Sequence, residues 1–524
     1  MTNAMMKHAD LMNRYLPNRA FEIHGNTFLV PLVANELADT ARTLLKTLPL
    51  VTVFATDERE KDRGFRIHYV FGVPHESHFI ALMLQLENTV FPSLAREFPA
   101  FALYEREIMT MFGLKAEGHP DPRTLILHEE NWPNGHYPLR KDFAWDTRIP
   151  ETKSGEYSFN RIGGEGVYEI PVGPVHAGII EPGHFRFSVA GEEILALEAR
   201  LGWVHKGVEK LFEVLPMEKK VMLAERISGD STFSHSLAFC EALETLTATV
   251  VPTRARYLRI IFAELERLTM HIFDIGNIAG NGTGFTFMAA QGFRIVENLR
   301  RESERFSGSR FLRGINTPGG VIRDIMPENV VSLQHFLAAL KQDFTEIITI
   351  AEGSASLANR LKGTGTLSVD AVKEYGAVGI AARSCNIAKD ARIEYPYAAY
   401  GDVTPQIALE TAGDVDARFH VRIKEVYGSI ALIEKALAAL PQGPLHTALQ
   451  AIPQRSMAVS VVEGWRGEIV YAVTSEDNAI ARVKVRDPSF IHWQLFSHLT
   501  SNDMVPDFPL INKSLNLSYS GNDL

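Results

Sequence analysis

Residues 225–232 have the sequence Glu-Arg-Ile-Ser-Gly-Asp-Ser-Thr, and residues 486–493 have the sequence Arg-Asp-Pro-Ser-Phe-Ile-His-Trp. Within them, the windows Ser228–Ser231 and Ser489–His492 have the spacing at which Cys-x-x-Cys pairs place two thiolates on one metal ion. Neither window contains a cysteine. Any chemistry at these windows must therefore come from hydroxyl, carboxylate and imidazole groups.

The first window also fits a purely structural role. Serine and aspartate side chains accept hydrogen bonds from the free backbone N–H groups at the start of a helix. The run Ser236–Phe239 that follows is compatible with a helix. On this interpretation residues 228–231 are a helix cap, and only the other motifs of the chain favour a second interpretation.

Length and composition indicate a large globular protein. The chain has 524 residues, of which 46% are hydrophobic, and this length predicts two to four domains with sizeable cores. The net charge is −10, the pI is about 6.0, and no tract rich in lysine or arginine stands out. These values argue against a nucleic-acid-binding surface.

Cysteine content and hydropathy limit the cofactors and the location. Cys240 and Cys385 are too few and too far apart for a disulfide framework or a cysteine-bound iron–sulfur cluster, so we expect this chain to bind no cofactor itself. Any cluster must lie in another subunit. No signal-peptide pattern and no window of about 18 uninterrupted apolar residues occurs, which predicts a cytoplasmic chain without a transmembrane segment.

The first part of the chain has the pattern of a small α+β domain, which we place at residues 1–143. Segment 36–48 has a helical pattern, and further helices are predicted within 91–112. Short runs rich in β-forming side chains predict strands at 28–33, 51–54, 65–71 and 79–86.

Three motifs in this part follow one another closely. Residues 104–114 read Tyr-Glu-Arg-Glu-Ile-Met-Thr-Met-Phe-Gly-Leu, residues 118–123 read Gly-His-Pro-Asp-Pro-Arg, and residues 138–143 read Pro-Leu-Arg-Lys-Asp-Phe. This set resembles the signature of the 30-kDa subunit of respiratory complex I, with Thr110 where that family usually has aspartate. The alternative is that the charged residues of these motifs are simply solvated.

A glycine-rich linker is predicted at residues 144–168, and a second domain at 169–524. Residues 171–187, Pro-Val-Gly-Pro-Val-His-Ala-Gly-Ile-Ile-Glu-Pro-Gly-His-Phe-Arg-Phe, resemble the opening hairpin of the 49-kDa subunit of complex I and of energy-converting, group 4 nickel-iron hydrogenases. An apolar stripe over 258–272 predicts a helix of the core. The resemblance implies an α+β fold: a small α+β domain, then a mainly helical hydrogenase-large-subunit-like domain with small β-hairpins.

The two serine windows stand where the large subunits of nickel-iron hydrogenases carry their four cysteine ligands. The resemblance therefore implies that Ser228, Ser231, Ser489 and His492 line a cavity from which the metal ligands have been lost. A nickel-iron centre needs soft thiolates, and neutral hydroxyls bind such metals poorly, so no metal is expected. A substitute metal site is an alternative, and it would use Asp230, Asp487 and His492.

Four further residues are candidates for proton supply in such a cavity: His176, Glu181, Asp230 and Arg466. Glu181 stands where hydrogenase large subunits keep the acidic residue of their proton path. Reduction of an organic acceptor consumes protons, so groups of this kind are what the site must offer. The alternative is that these residues form buried pairs that hold the shape of the former metal site.

Three functions are compatible with the resemblance. The first is a peripheral-arm subunit of a complex I-like, ion-translocating assembly, which takes electrons from a small iron–sulfur subunit to a quinone-like acceptor. It would lie on the cytoplasmic face of the inner membrane, held there by antiporter-like membrane subunits. The second is a non-catalytic subunit that couples redox and membrane modules. The third is an active hydrogenase, which the ligand chemistry disfavours.

Overall fold

The computed structural model describes residues 3–152, 155–176, 180–501 and 503–524. Residues 177–179 of the 171–187 motif therefore lie outside the described residues. In the described part of the chain, no helix is both long and apolar enough to cross a membrane.

The first domain is built on a five-stranded sheet with the strand order β1-β2-β5-β4-β3. Only the β2–β5 pair is parallel, and the other neighbours are antiparallel. The elements are α1 (Asn3–Tyr15), β1 (Glu22–His24), β2 (Thr27–Leu32), α2 (Leu37–Leu45), β3 (Leu50–Asp57), β4 (Phe65–Val73), β5 (His78–Gln85), β6 (Val90–Pro92), α3 (Ala102–Phe112) and β7 (Lys115–Glu117).

The region 91–112 is helical only in its second half. Its start belongs to β6, which pairs in parallel with β7, and the α-helix begins at Ala102 after a 3-10 turn. Pro92 and Pro99 explain the difference, because proline lacks a backbone N–H group and disfavours a helix at the residue before it.

The charged motif residues on α3 are mostly buried and bonded rather than solvated. Glu105 accepts the backbone N–H of Leu94 at 2.7 Å, and Arg106 donates to the carbonyl oxygens of residues 123 and 124, each at 3.0 Å. Thr110 accepts the N–H of Leu125 at 3.2 Å. These bonds anchor the extended segment that follows to α3, so the solvated alternative does not hold here.

The second domain is mainly helical and contains two three-stranded antiparallel sheets, β10-β9-β8 and β13-β14-β15. Its elements are β8 (Val167–Val172), β9 (His184–Ala190), β10 (Glu193–Arg200), α4 (Val208–Val214), α5 (Met217–Ala224), α6 (Thr232–Leu246), α7 (Thr253–Gly280), α8 (Thr286–Ser307), β11 (Asn316–Thr317), β12 (Gly320–Val321), α9 (Pro327–Glu352), α10 (Ala355–Leu361), α11 (Val369–Glu374), α12 (Gly379–Arg383), α13 (Ala391–Glu394), α14 (Val415–Ala438), β13 (Arg455–Glu463), β14 (Glu468–Glu476), β15 (Ala479–Arg486), α15 (Pro488–His492), α16 (Phe496–Leu499), α17 (Phe508–Leu515) and α18 (Tyr519–Asp523). The predicted fold class is confirmed.

Helix α7 is the centre of the helical core and is buried on nearly all sides. Its polar residues are buried with partners from other elements. Arg259 forms a bidentate pair with Glu244, at 2.6 and 2.8 Å, and Arg267 pairs with Glu425 at 2.9 Å. Such pairs offset the cost of burying charge inside a helical bundle.

The two domains pack directly on each other through β13–β15. The Asn26 side chain donates to the carbonyl oxygen of Val459 and accepts the N–H of the same residue, at 2.8 and 3.0 Å. Deeper in the interface, Lys484 contacts both carboxylate oxygens of Glu107, at 2.6 and 2.5 Å, and its side chain is only 1% exposed. Glu209 lies 3.3 Å from the same ammonium group.

We expect Glu107→Gln to lower the free energy of unfolding by about 2 kcal/mol, because the buried Lys484 ammonium loses the nearer of its two carboxylate partners and keeps Glu209 at 3.3 Å. Urea denaturation of the purified chain, followed by tryptophan fluorescence, measures this change. Glu97→Gln is the matched control, since Glu97 forms an exposed pair with Arg42 and its loss should not shift the midpoint. Equal midpoints for all three proteins would contradict the expectation.

Candidate functional site

The loop between α5 and α6 is held by one bidentate ion pair. Both terminal nitrogens of Arg466 donate to the carboxylate of Asp230, at 2.8 and 2.5 Å. The backbone carbonyl oxygen of Asp230 accepts the indole N–H of Trp465 at 3.0 Å, and the Arg466 guanidinium lies 3.9 Å from the centre of that ring. The first serine window is therefore fixed to the turn between β13 and β14.

Ser228 meets a residue that the sequence motifs did not indicate. Its hydroxyl donates to Asp230 Oδ1 at 2.7 Å and lies 2.8 Å from the hydroxyl oxygen of Ser518. The backbone N–H of Ser518 in turn donates to Ser489 Oγ at 2.9 Å. Ser518 thus lies between the two windows. Residues 518 and 521 are serine and glycine, so the paired spacing that identified the two windows is not repeated at Ser518 and does not indicate this contact.

We call residues 508–524 the C-terminal segment. Its apolar side chains are buried against the second domain: Phe508, Leu510, Ile511, Leu515 and Leu517. The segment is anchored further by backbone bonds, since the carbonyl oxygen of Leu524 accepts the N–H groups of Lys206 and Val208 at 3.1 and 3.2 Å.

A cavity of about 250 Å³ opens beside the first window, and the C-terminal segment supplies half of the residues that line it. Four of the predicted site residues line this cavity: Glu181, Ser228, Asp230 and Arg466. The C-terminal segment adds Asn512, Lys513, Asn516, Leu517, Ser518, Tyr519 and Ser520. The cavity therefore combines two carboxylates, two cationic groups and several neutral donors.

The other four predicted residues do not line the cavity. The ring N–H of His176 donates to the carbonyl oxygen of Gly183 at 2.7 Å and so closes the loop between β8 and β9. Ser231 is buried behind Asp230, where Arg466 lies 3.4 Å from its hydroxyl oxygen. Ser489 supports the backbone of Ser518.

His492 belongs to helix α15, and it faces another part of the fold. Its Nε2 accepts the backbone N–H of Val378 at 3.2 Å, next to the start of α12. Burial lowers the pKa of His492 to about 3, so the ring is neutral at physiological pH. The imidazole therefore supports a helix start and is not available to the cavity.

Asp487 is also occupied. Its carboxylate accepts the ring N–H of His235 at 3.1 Å and the backbone N–H of Ser489 at 2.7 Å. Although burial opposes ionisation, the hydrogen bond and charge of His235 hold the pKa of Asp487 at about 2. Asp230, Asp487 and His492 each have separate partners, and within residues 3–152, 155–176, 180–501 and 503–524 no group of three or more metal-ligating side chains is arranged to hold a metal.

The donor set at the windows does not fit a nickel-iron centre. Such a centre is held by thiolates, which carry negative charge and bridge the two metals. Here the hydroxyls of Ser228 and Ser231 lie against the Asp230 carboxylate, at 2.7 and 3.4 Å. Both cysteines are buried elsewhere, Cys240 within α6 and Cys385 just after α12.

Two buried carboxyl groups adjoin the cavity and were not indicated by the sequence motifs. Asp274 on α7 accepts the side-chain N–H of Asn516 at 2.7 Å, and burial raises its pKa to about 6. Glu266 lines a smaller cavity of about 50 Å³, which is also lined by Gly229 and Asp230. Its carboxylate caps α6 by accepting the N–H of Phe233 at 2.7 Å, and burial raises its pKa to about 7.

Two protein families match the chain, one in each domain. The family described as respiratory-chain NADH dehydrogenase, 30 Kd subunit, matches residues 30–148. The family described as respiratory-chain NADH dehydrogenase, 49 Kd subunit, matches residues 280–460 and 450–523. The fold is therefore a fusion of a 30-kDa-like and a 49-kDa-like unit of complex I.

Individual proteins extend this likeness over most of the chain. Formate hydrogenlyase subunit 5 of Escherichia coli is 32% identical over 90% of this chain and 84% of its own length. Hydrogenase-4 component G of the same organism is 33% identical over 90% and 83%. The fused C/D subunit of the NADH-quinone oxidoreductase of Phocaeicola vulgatus is 31% identical over 76% and 80%. The chain belongs to the family of these hydrogenase and complex I subunits.

A solved structure has the same fold. A chain of the archaeal membrane-bound sulfane sulfur reductase, a respiratory membrane complex, superposes with a TM-score of 0.64 and 25% identity. The superposition covers 69% of this chain and 99% of that one.

We expect Glu266→Gln to change how stability depends on pH. A carboxyl with a folded pKa of about 7 and an unfolded pKa of about 4.3 stabilises the fold below pH 4.3, and this contribution is lost as the pH rises through 7. Between pH 5 and pH 8 the wild type should lose about 2–3 kcal/mol relative to Glu266→Gln.

Urea unfolding at several pH values measures this difference. Glu346→Gln, at an exposed position of α9, is the control and should parallel the wild type throughout. A constant difference between Glu266→Gln and the wild type would contradict the raised pKa.

Proposed function

We propose that this chain is a peripheral-arm subunit of a complex I-like redox complex. It takes electrons from a small iron–sulfur subunit of the complex I type and passes them to a quinone-like acceptor in the cavity of about 250 Å³. This transfer is coupled to ion translocation by antiporter-like membrane subunits. The complex holds the chain on the cytoplasmic face of the inner membrane.

One observation carries this proposal: the first window has no thiolate, yet a polar cavity with proton-bearing groups lies directly beside it. Reduction of a quinone head group consumes two electrons from the iron–sulfur partner and two protons, and it yields a quinol. Glu181 is half-buried at the cavity wall, where its carboxylate accepts the N–H of Ser520 at 2.9 Å. This placement suits a residue that hands protons to the cavity.

The names of the relatives support the assembly part of the proposal. Two are subunits of formate hydrogenlyase and hydrogenase-4, one is a subunit of an NADH-quinone oxidoreductase, and the solved structure is a respiratory membrane complex. The name of the sulfane sulfur reductase also offers a different kind of acceptor, a sulfur compound.

A second candidate function is structural coupling without a substrate. The observation in its favour is that the polar groups of the first window satisfy one another, because Asp230 pairs with Arg466 and Ser228 contacts Ser518. An active hydrogenase is disfavoured by the donor set of hydroxyls in place of thiolates.

The purified complex should contain a small iron–sulfur partner, neither evolve nor consume hydrogen, and carry no stoichiometric nickel. Elemental analysis and hydrogen-dependent dye reduction measure these properties. About one nickel per chain together with hydrogen-dependent dye reduction would overturn the proposal, as would purification from native membranes as a monomer without an iron–sulfur partner.

Glu181→Gln should reduce electron transfer from the dithionite-reduced complex to a menaquinone analogue by at least tenfold, because the amide cannot release a proton. Assembly should be unchanged, since glutamine can still accept the Ser520 N–H group. Glu165→Gln, at an exposed position, is the control. Full activity of Glu181→Gln would show that Glu181 does not supply protons. If the wild type does not reduce the quinone analogue, the structural alternative is favoured.

A further inference from the structure

We infer that Lys513 and Tyr519, both in the C-terminal segment, are the two hydrogen-bond donors that hold the oxygen atoms of the acceptor. The inference rests on the proposed function and names a carbonyl compound with two acceptor oxygens as the ligand. Both residues line the cavity of about 250 Å³, on α17 and α18.

Among the residues that the structure describes, Lys513 is the cation of this cavity without a protein partner. Arg466, the other cation in the lining, is fully used by Asp230 and by the carbonyl oxygen of Asn516. The Lys513 ammonium forms no ion pair or hydrogen bond within the described part of the chain, although it is half-buried. The charges of Asp274, Arg466 and Asp230 act on it, and all three groups have partners of their own.

An unpaired, partly buried ammonium group lowers the stability of the fold unless a partner accepts its hydrogen bonds. Burial lowers the pKa of Lys513, which is consistent with partial loss of hydration without a compensating partner. Lysine near the end of α17 also interacts favourably with the helix dipole, but that effect does not require the side chain to face a cavity.

Tyr519 offers the second donor. Its side chain is only 6% exposed, and within the described residues its hydroxyl group has no hydrogen-bond partner of good geometry, although the Asn512 amide lies beside it. Burial raises the pKa of Tyr519 to about 12, so the hydroxyl group stays protonated and can donate a hydrogen bond to a ligand. A buried hydroxyl without a partner is uncommon in folded proteins.

The charge of the lining favours a neutral ligand with acceptor oxygens over an anion. The carboxylates of Glu181 and Asp230 balance the two cations of the lining, so no net positive charge selects an anion, whereas a carbonyl oxygen accepts from either an ammonium or a hydroxyl group. During reduction, negative charge grows on the carbonyl oxygen, and a nearby ammonium stabilises it more strongly than a neutral donor does.

The test uses the purified complex and 2,3-dimethyl-1,4-naphthoquinone as the probe, with binding measured by equilibrium dialysis. Lys513→Met should weaken binding about tenfold or more, and Tyr519→Phe by about threefold to tenfold, as expected for charged and neutral hydrogen bonds. Lys513→Arg should restore most of the affinity, because it keeps a cationic donor in place.

Two matched controls separate binding from stability. Lys362→Met changes a lysine beside a different cavity, and Tyr168→Phe changes an exposed tyrosine, so neither should alter the affinity. Melting temperature and retention of the iron–sulfur partner are recorded for every variant.

The outcomes distinguish this inference from the proposed function. Probe binding by the wild type that is unchanged in Lys513→Met and Tyr519→Phe would overturn the inference while leaving a quinone acceptor in place. If the wild type neither binds nor reduces the probe, the quinone acceptor itself is wrong, and the inference fails with it. Loss of affinity in both variants, with rescue by Lys513→Arg, supports it.

Discussion

The ion pair between Asp230 and Arg466 is the contact on which the rest of the site depends. Arg466 is almost completely buried, and although burial opposes ionisation of Asp230, the arginine charge keeps the pKa of that carboxyl low. The same arginine donates to the carbonyl oxygen of Asn516 at 2.5 Å. One side chain thus joins three segments that are distant in the sequence: the loop before α6, the turn between β13 and β14, and the C-terminal segment. Removing either charge would leave the other buried without compensation.

The fold was largely predictable because its signals are local. Runs rich in β-forming side chains indicated the strands of the first domain, and the stripe over 258–272 indicated helix α7. That stripe understated the burial of the helix, since Arg259 and Arg267 lie off it and are nevertheless inside the protein. Their partners, Glu244 and Glu425, come from other helices, and a pattern within one helix carries no information about a charge supplied from elsewhere.

The site was predictable only in part, for the same reason. Ser228 and Asp230 were found because they share one short window with a recognisable spacing, and Glu181 because it lies in a family-like motif. The second window did not reach the cavity. The structure places the C-terminal segment there, with Ser518 in contact with Ser228 across 290 positions of sequence. No periodicity or local motif encodes a contact of that separation.

The packing of β13–β15 on the first domain has a consequence for how this protein is made. One face of the N-terminal sheet, which includes Leu29, Val51 and Phe54, is covered by side chains such as Met457 and Val470. During synthesis, that apolar face emerges from the ribosome more than 400 positions before its cover, since Asn26 and Val459 are separated by 433. The nascent chain therefore exposes an apolar sheet face for most of translation. Such a surface favours aggregation until β13–β15 pack on it, and contacts of this separation form slowly.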